Sequence, residues 1–158
     1  MLLLTQCSMV PGTIIMQNDF EQAGQANPRP PEISDELAHS GNFSSKLTKE
    51  MAYGPTWGAK WEEAQQPRKL RVQAWVNLPN HHQKTAFVVE VVRNDTTRYW
   101  KTLSIHAVVK RFHQWEFVWK TFVLPHDVGP GDYIRVYLWQ AGERQVLYLD
   151  DFTIEKVS

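Results

Sequence analysis

Two adjacent carboxylates near the end of the chain lie in an apolar segment and need a cation or hydrogen-bond donors beside them. Asp150 and Asp151 fall inside the apolar segment Leu147–Ile154, at the point where the apolar residues change from one parity to the other. A parity switch of this kind predicts a β-bulge or a strand that is covered on both sides. A buried carboxylate without a partner is costly. The partner is either a cation or a set of backbone amides, and the sequence leaves both open.

A second set of residues has the chemistry of sugar binding. The segments Leu70–Leu78, Trp115–Leu124 and Tyr133–Trp139 alternate between an aliphatic row for the core and a second row that points away from it. A sugar ring has an apolar face of C–H groups and a rim of hydroxyls, which suits flat aromatic rings beside Arg and Gln side chains. The predicted carbohydrate-binding residues on the outward rows are Trp75, Tyr137, Trp139, Trp119, Arg71, Gln73 and Arg135.

Catalytic residues are not recognisable in the same way. Glu62, Glu90 and Glu116 lie on or near predicted strands, and a glycosidase needs two carboxylates flanking one bond. Strand alternation does not bring any two of them together, and no serine lies in a nucleophile-elbow motif. The chain is therefore predicted not to be an enzyme, with a small lyase or glycosidase as the competing hypothesis.

Charge and composition narrow the partners. The chain has 17 basic and 17 acidic residues, and this balance argues against nucleic acid and against electrostatic binding to anionic membranes. No apolar run is long enough to span a bilayer. The single cysteine, Cys7, excludes an internal disulfide and a cysteine-based zinc site, and the role of Cys7 itself stays open.

The spacing of the elements predicts an all-β fold. Nine or ten short strands are separated by polar turns rich in Gly, Pro and Asn, and no stretch has a helical period. This pattern is typical of an antiparallel sandwich or barrel. The 158 residues fit one domain, in which residues 1–12 are expected to be a frayed or trimmed N-terminal segment.

Five ordered motifs resemble the jelly-roll carbohydrate-binding modules of bacterial glycanases, within the galactose-binding-like group. They are NDFE at Asn18–Glu21, HSGNFSSKL at His39–Leu47, LRVQAWVNLP at Leu70–Pro79, WEFVWKTFVLP at Trp115–Pro125 and YLDDFTIE at Tyr148–Glu155. The resemblance implies a β-sandwich jelly roll of two antiparallel sheets. It also implies a non-catalytic module that recognises a polysaccharide or oligosaccharide through an aromatic platform on the concave sheet.

The resemblance carries further expectations. The module would belong to a larger multidomain protein, outside the cell or on a bacterial cell surface. The alternative is a structural or protein-docking accessory domain of a secreted glycanase without glycan affinity. In such modules a structural calcium commonly ties the first strand to the last, and the matching ligands are Glu21, Ser40, Asn42 and Asp151. The resemblance further suggests that the strands carrying Trp75 and Trp139 share the ligand-facing sheet.

Overall fold

The structure, a computed structural model that describes residues 9–81 and 84–158, is built almost entirely of β-strands. Outside the described residues lie His82 and the first eight residues of the predicted N-terminal segment, which include Cys7. The strands are β1 (Thr13–Asn18), β2 (Ile33–Ser34), β3 (Ser44–Leu47), β4 (Tyr53–Lys60), β5 (Lys69–Asn77), β6 (Lys84–Arg93), β7 (Thr96–Ser104), β8 (Trp115–Val123), β9 (Tyr133–Ala141) and β10 (Leu147–Val157). Two one-turn helices, α1 (Glu21–Gly24) and α2 (Ile105–Val108), complete the fold. Neither helix approaches the length or apolarity that crossing a bilayer requires, and the described residues contain no other.

Two antiparallel sheets form the molecule. The six-stranded sheet has the order β2-β3-β10-β5-β8, with β1 also paired to β10. The four-stranded sheet has the order β4-β9-β6-β7. Strands β9 and β10 follow one another in the chain but belong to different sheets, so the turn between them crosses from one layer to the other. The predicted sandwich of two antiparallel sheets is confirmed.

The core lies between the sheets and is made of the predicted aliphatic rows. Side chains of β5 (Val72, Ala74, Val76) and of β9 (Ile134, Val136, Leu138) are completely buried and belong to one cluster. Phe87 of the four-stranded sheet stacks on Phe152 of the six-stranded sheet, with ring centroids 5.3 Å apart. The alternation in these strands therefore follows from which side chains face the opposite sheet.

The predicted bulge occurs at the two carboxylates. The pairing of β10 with β5 shifts register between Asp150 and Thr153, and Asp151 has a φ of 49°. The extra residue rotates the chain, so Leu149 before the bulge and Phe152 after it both enter the core. The parity switch in the sequence is the direct signature of this bulge.

Candidate functional site

The predicted sugar-binding residues divide between two opposite faces of the sandwich. Trp75 lies on β5 in the six-stranded sheet, whereas Tyr137 and Trp139 lie on β9 in the four-stranded sheet. Outward side chains of the two sheets point in opposite directions. The prediction that these strands share a ligand-facing sheet is therefore wrong. Alternation identifies the outward row of a strand, but it carries no information about which sheet the strand joins.

On the six-stranded sheet, the polar residues of the predicted set are already hydrogen-bonded to another side chain of the sheet. Arg71 is 5% exposed, and its guanidinium donates two hydrogen bonds to the carboxylate of Glu155, one of them from Nε at 2.9 Å. The Gln73 amide donates to the same carboxylate at 3.2 Å. These contacts fasten β5 to β10, so Arg71 and Gln73 act as cross-strand ties.

The aromatic residues on this face are only partly available. His39 lies flat on Trp75, with ring centroids 3.8 Å apart and planes at 13°, and so covers one face of the indole. Trp119 keeps 47% of its surface exposed, and its neighbour Phe117 keeps 37%. The outer surface of the six-stranded sheet therefore carries an apolar patch that includes Phe117 and Trp119, while Arg71 and Gln73 are hydrogen-bonded within the sheet.

The outer surface of the four-stranded sheet carries a denser group of rings, which we call the aromatic cluster: Tyr53, Trp100, Tyr137 and Trp139. Tyr53 meets Tyr137 edge to face at 5.8 Å, and Trp100 meets Trp139 in the same way at 6.0 Å. The Trp100 indole N–H donates to the Tyr137 hydroxyl at 3.3 Å. The strand order explains the grouping, because β4 and β6 are both neighbours of β9 and β7 lies beyond β6.

A charged pair borders the aromatic cluster. Glu90 and Arg135 are cross-strand partners on β6 and β9, with Oε2 and a guanidinium nitrogen 3.1 Å apart. Thr97 donates its hydroxyl to the other oxygen of Glu90 at 2.7 Å. The Glu90 side chain is only 11% exposed and Arg135 is 46% exposed, so the buried acid positions a guanidinium that still faces solvent.

Two cavities open on this sheet. One, of about 310 Å³, is bordered by Tyr53, Tyr137, Glu90 and Arg135. The other, of about 350 Å³, has Trp100 and Trp139 among its walls. Each therefore combines aromatic rings with polar groups, which is the composition of a site for a sugar.

The carboxylates of the predicted calcium site meet at one loop, His39–Phe43, which we call the latch loop. Asp150 is completely buried and accepts hydrogen bonds from the backbone N–H groups of His39 (2.8 Å), Ser40 (3.1 Å) and Asp151 (2.7 Å). Burial raises the pKa of the Asp150 carboxyl, and these amide hydrogen bonds oppose the rise. Backbone amides are thus partners of Asp150, as one of the two open alternatives proposed.

Asp151 and Glu21 hold the two ends of the latch loop. Asp151 accepts from the Ser40 hydroxyl at 2.6 Å, and its other oxygen lies 2.7 Å from Nδ1 of His39. Glu21 accepts from the backbone N–H groups of Asn42 and Phe43, both at 2.8 Å. The four predicted calcium ligands therefore form two pairs along one short loop, Asp151 with Ser40 and Glu21 with Asn42.

The donor chemistry fits calcium in kind, since carboxylates and main-chain carbonyls are its preferred ligands. In the part of the chain that the structure describes, no group of three or more His, Cys, Asp or Glu side chains could hold a metal. The predicted set has only two carboxylates, Glu21 and Asp151, and both already accept hydrogen bonds. A cation would therefore have to compete with these donors.

Several residues of the two faces were not predicted. Tyr53 and Trp100 complete the aromatic cluster, and His39 joins the latch loop to Trp75. Tyr53 and Trp100 both lie in segments whose composition favours strands, but that signal does not indicate which face a side chain joins. The three glutamates considered for catalysis lie on different elements: Glu62 in the turn after β4, Glu90 on β6, and Glu116 on β8, paired with Arg111 at 2.7 Å.

Comparisons with known proteins agree with this architecture. No protein-family model and no curated protein matches the chain. The N-terminal CBM22-1-CBM22-2 tandem domain of Paenibacillus barcinonensis Xyn10C is similar in structure, with 17% identity, a TM-score of 0.60, and coverage of 96% of this chain and 47% of that one. The chain thus spans about half the length of the tandem.

Two single modules are similar as well. The CBM22-1 xylan-binding domain of the same enzyme shares 15% identity, with a TM-score of 0.57 and coverage of 96% and 100%. The C-terminal family 22 carbohydrate binding module of Clostridium thermocellum Xyn10B shares 14% identity, with a TM-score of 0.53 and coverage of 80% and 81%. The predicted resemblance is confirmed at the level of architecture: the chain has the jelly-roll fold of bacterial carbohydrate-binding modules.

Proposed function

We propose that this chain is a non-catalytic carbohydrate-binding domain that holds a polysaccharide on the outer surface of the four-stranded sheet. The observation that carries the proposal is the aromatic cluster beside the Glu90–Arg135 pair, with a cavity on each part of the surface. The opposite sheet is a weaker candidate, because His39 covers Trp75 and Glu155 engages Arg71.

The proposed mechanism is stacking combined with hydrogen bonding. Tyr53, Tyr137 and Trp139 would receive the C–H faces of successive sugar rings. Arg135, held in place by Glu90, would donate to ring hydroxyls from the guanidinium N–H groups that face solvent. Since these side chains sit on adjacent strands of a rigid sheet, little order needs to be gained on binding.

The similar structures guide the choice of first ligand. Three of them are described as xylan-binding domains, so a neutral β-linked xylan is the first polysaccharide to test. We also propose that the chain acts as one module of a larger extracellular or cell-surface protein; in support, similar modules occur as a tandem pair and beside a GH10 module in xylanases.

A pair of matched substitutions tests the proposal. Trp139→Ala removes an indole from the aromatic cluster, and Trp119→Ala removes an exposed indole from the opposite sheet. We expect Trp139→Ala to weaken the binding of soluble xylan about tenfold or more, whereas Trp119→Ala should leave affinity unchanged. Isothermal titration calorimetry measures both. Neither residue belongs to the core cluster, so melting temperatures should change little.

The reverse result would refute the assigned face. If Trp119→Ala weakens binding and Trp139→Ala does not, the sugar binds to the six-stranded sheet. If Trp139→Ala unfolds the protein, the indole has a packing role that its position outside the core cluster does not explain.

The second candidate function is a protein-docking accessory domain. It is favoured by the apolar patch on the six-stranded sheet, where Phe117 and Trp119 are exposed and Val123 is 63% exposed. Such patches often mark contacts with other protein surfaces. This function would be preferred if the chain binds none of a panel of polysaccharides and self-associates in sedimentation experiments that Trp119→Ala reverses.

We propose in addition that calcium stabilises the latch loop. Glu21 and Asp151 would supply carboxylate oxygens, and Ser40 and Asn42 would supply main-chain carbonyls. The support is that each of the two carboxylates is hydrogen-bonded to the loop, Asp151 at Ser40 and Glu21 at Asn42. An ion that binds only the folded state raises its melting temperature. Calcium should therefore raise the melting temperature of the chelator-treated protein, and Glu21→Gln should abolish the rise while Glu143→Gln keeps it. Equal melting temperatures with calcium and with chelator would contradict the site.

A further inference from the structure

The cavity beside Trp139 differs in charge from the other cavity on the same sheet. Its walls are the indoles of Trp100 and Trp139, the hydroxyl groups of Thr102 and Ser104, and two basic side chains, Lys84 and His106. Its floor includes Ala86, which pairs in register with both Trp139 and Ser104 and leaves room between them. At about 350 Å³, the cavity can hold one sugar unit.

The basic groups of this cavity have no acidic partner among the residues that the structure describes. Among the described residues that line it, none is acidic. Within residues 9–81 and 84–158, Lys84 forms no ion pair. Glu143, in the neighbouring turn, is not paired with it either. His106 places Nδ1 3.2 Å from the Thr85 carbonyl; a carbonyl only accepts, so Nδ1 carries the hydrogen and Nε2 is left for a ligand.

The other cavity has the opposite character. Its cation, Arg135, is neutralised by Glu90 at 3.1 Å, so that end of the surface suits uncharged hydroxyls. The surface therefore has a neutral part around Tyr53 and Tyr137 and a cationic part around Trp139.

From this asymmetry we infer that the cavity between Trp100 and Trp139 binds a uronic acid unit of the polysaccharide, with Lys84 pairing with its carboxylate. The sugar ring would lie against the indoles, and Thr102 and Ser104 would bond its hydroxyls. The inference rests on the proposed function, because it assigns one subsite of the same surface. It predicts preference for an acidic, substituted polysaccharide over its neutral backbone.

The test uses two ligands that differ only in the charge of the side group: a xylo-oligosaccharide carrying one glucuronic acid side group, and the same oligosaccharide carrying the neutral methyl ester of that group. We expect the acidic ligand to bind roughly fivefold more tightly, as for one partly exposed ion pair. The preference should shrink between about 20 and 300 mM salt because such a pair is screened. Lys84→Gln should bring the ratio of the two affinities close to one, whereas Lys101→Gln, a lysine of the same sheet outside the cavity, should keep it.

Failure of the inference and failure of the proposed function give different results. Equal affinities in the unmodified protein, or a preference that survives Lys84→Gln, overturns the uronic acid site while neutral binding still supports the proposed function. If neither oligosaccharide binds, titration with glucuronate decides the matter through the indole N–H resonances of Trp100 and Trp139. Unperturbed resonances then overturn the inference as well.

Discussion

Asp150→Ala is expected to detach the latch loop from the last strand. The carboxylate of Asp150 is fully buried and accepts the backbone N–H groups of His39 and Ser40, which lie more than a hundred residues away in the chain. It also accepts the N–H of Asp151 inside the bulge. The substitution leaves all three donors without this acceptor, so its effect measures what the carboxylate contributes to folding.

The size of the loss follows from these three bonds. A buried donor deprived of its acceptor costs about 1–3 kcal/mol, and the His39 and Ser40 amides are only partly buried. Burying the charged carboxylate costs free energy, and this cost raises the pKa of Asp150. It also offsets part of the stability that the three hydrogen bonds contribute. We therefore expect Asp150→Ala to lower the free energy of unfolding by about 2–4 kcal/mol. In Asp150→Asn one oxygen can still accept the His39 and Ser40 N–H groups, but an NH2 group replaces the oxygen that accepts from Asp151. Its loss should therefore be about 1–3 kcal/mol and smaller than that of the Ala variant.

Urea denaturation in the presence of chelator measures both variants without a contribution from bound cations. With an m-value of about 2 kcal/mol/M, the Ala variant should shift the midpoint by about 1–2 M. A loss below about 0.5 kcal/mol for Asp150→Ala would refute the argument, since it would mean that water replaces the carboxylate at no cost. A larger loss for Asn than for Ala would refute it too, because acceptor geometry would then not be the cause.

Two further predictions concern the ends of the sandwich. Arg93 clamps the buried Asp132 through two 2.7 Å bonds and holds the pKa of that carboxyl below its ordinary value of 3.8, so the folded state binds this proton more weakly than the unfolded chain. The stability that this pair contributes is present above pH 3.8 and is lost as the pH falls below that value. The melting temperature should therefore fall more steeply between about pH 5 and pH 3 than that of Asp132→Asn. Parallel slopes of melting temperature against pH would contradict the role of the ion pair. Gly41 has a φ of 60° and lies against the Glu21 carboxylate, whereas Gly131 has a φ of 88° in open space. Gly131→Ala should lower the free energy of unfolding by about 1–2 kcal/mol in urea denaturation, and Gly41→Ala should lower it clearly more. Equal losses would mean that the latch loop moves to accommodate the added methyl group at no cost.

Much of the fold could be predicted because its signals are local. The alternation in β5 and β9 identified which side chains are buried, since a side chain on a strand points to the same face as its neighbours two residues away. The parity switch at Asp150 located the bulge for the same reason. The resemblance of five ordered motifs supplied the arrangement of these strands as a jelly roll.

The positions of the candidate site residues were predicted only in part, because they depend on contacts between distant segments. Tyr137, Trp139 and Arg135 face outward on the four-stranded sheet as expected, but Trp75, Arg71 and Gln73 belong to the other layer. Nothing in the alternation of a single strand distinguishes these cases. Sheet membership is decided by which strands hydrogen-bond together.

The partners of the predicted residues also divide into what the local sequence indicates and what tertiary contacts decide. The sequence by itself determined that the strand changes parity at Asp150 and Asp151, through a bulge or by being covered on both sides, and that these carboxylates need partners. A change of parity and the cost of a buried charge are properties of the local chain. Only the tertiary structure decided that those partners come from the latch loop and that Glu155 occupies Arg71. It likewise brought Tyr53 and Trp100 beside Tyr137, because strand pairing joins residues that lie tens of positions apart in the chain.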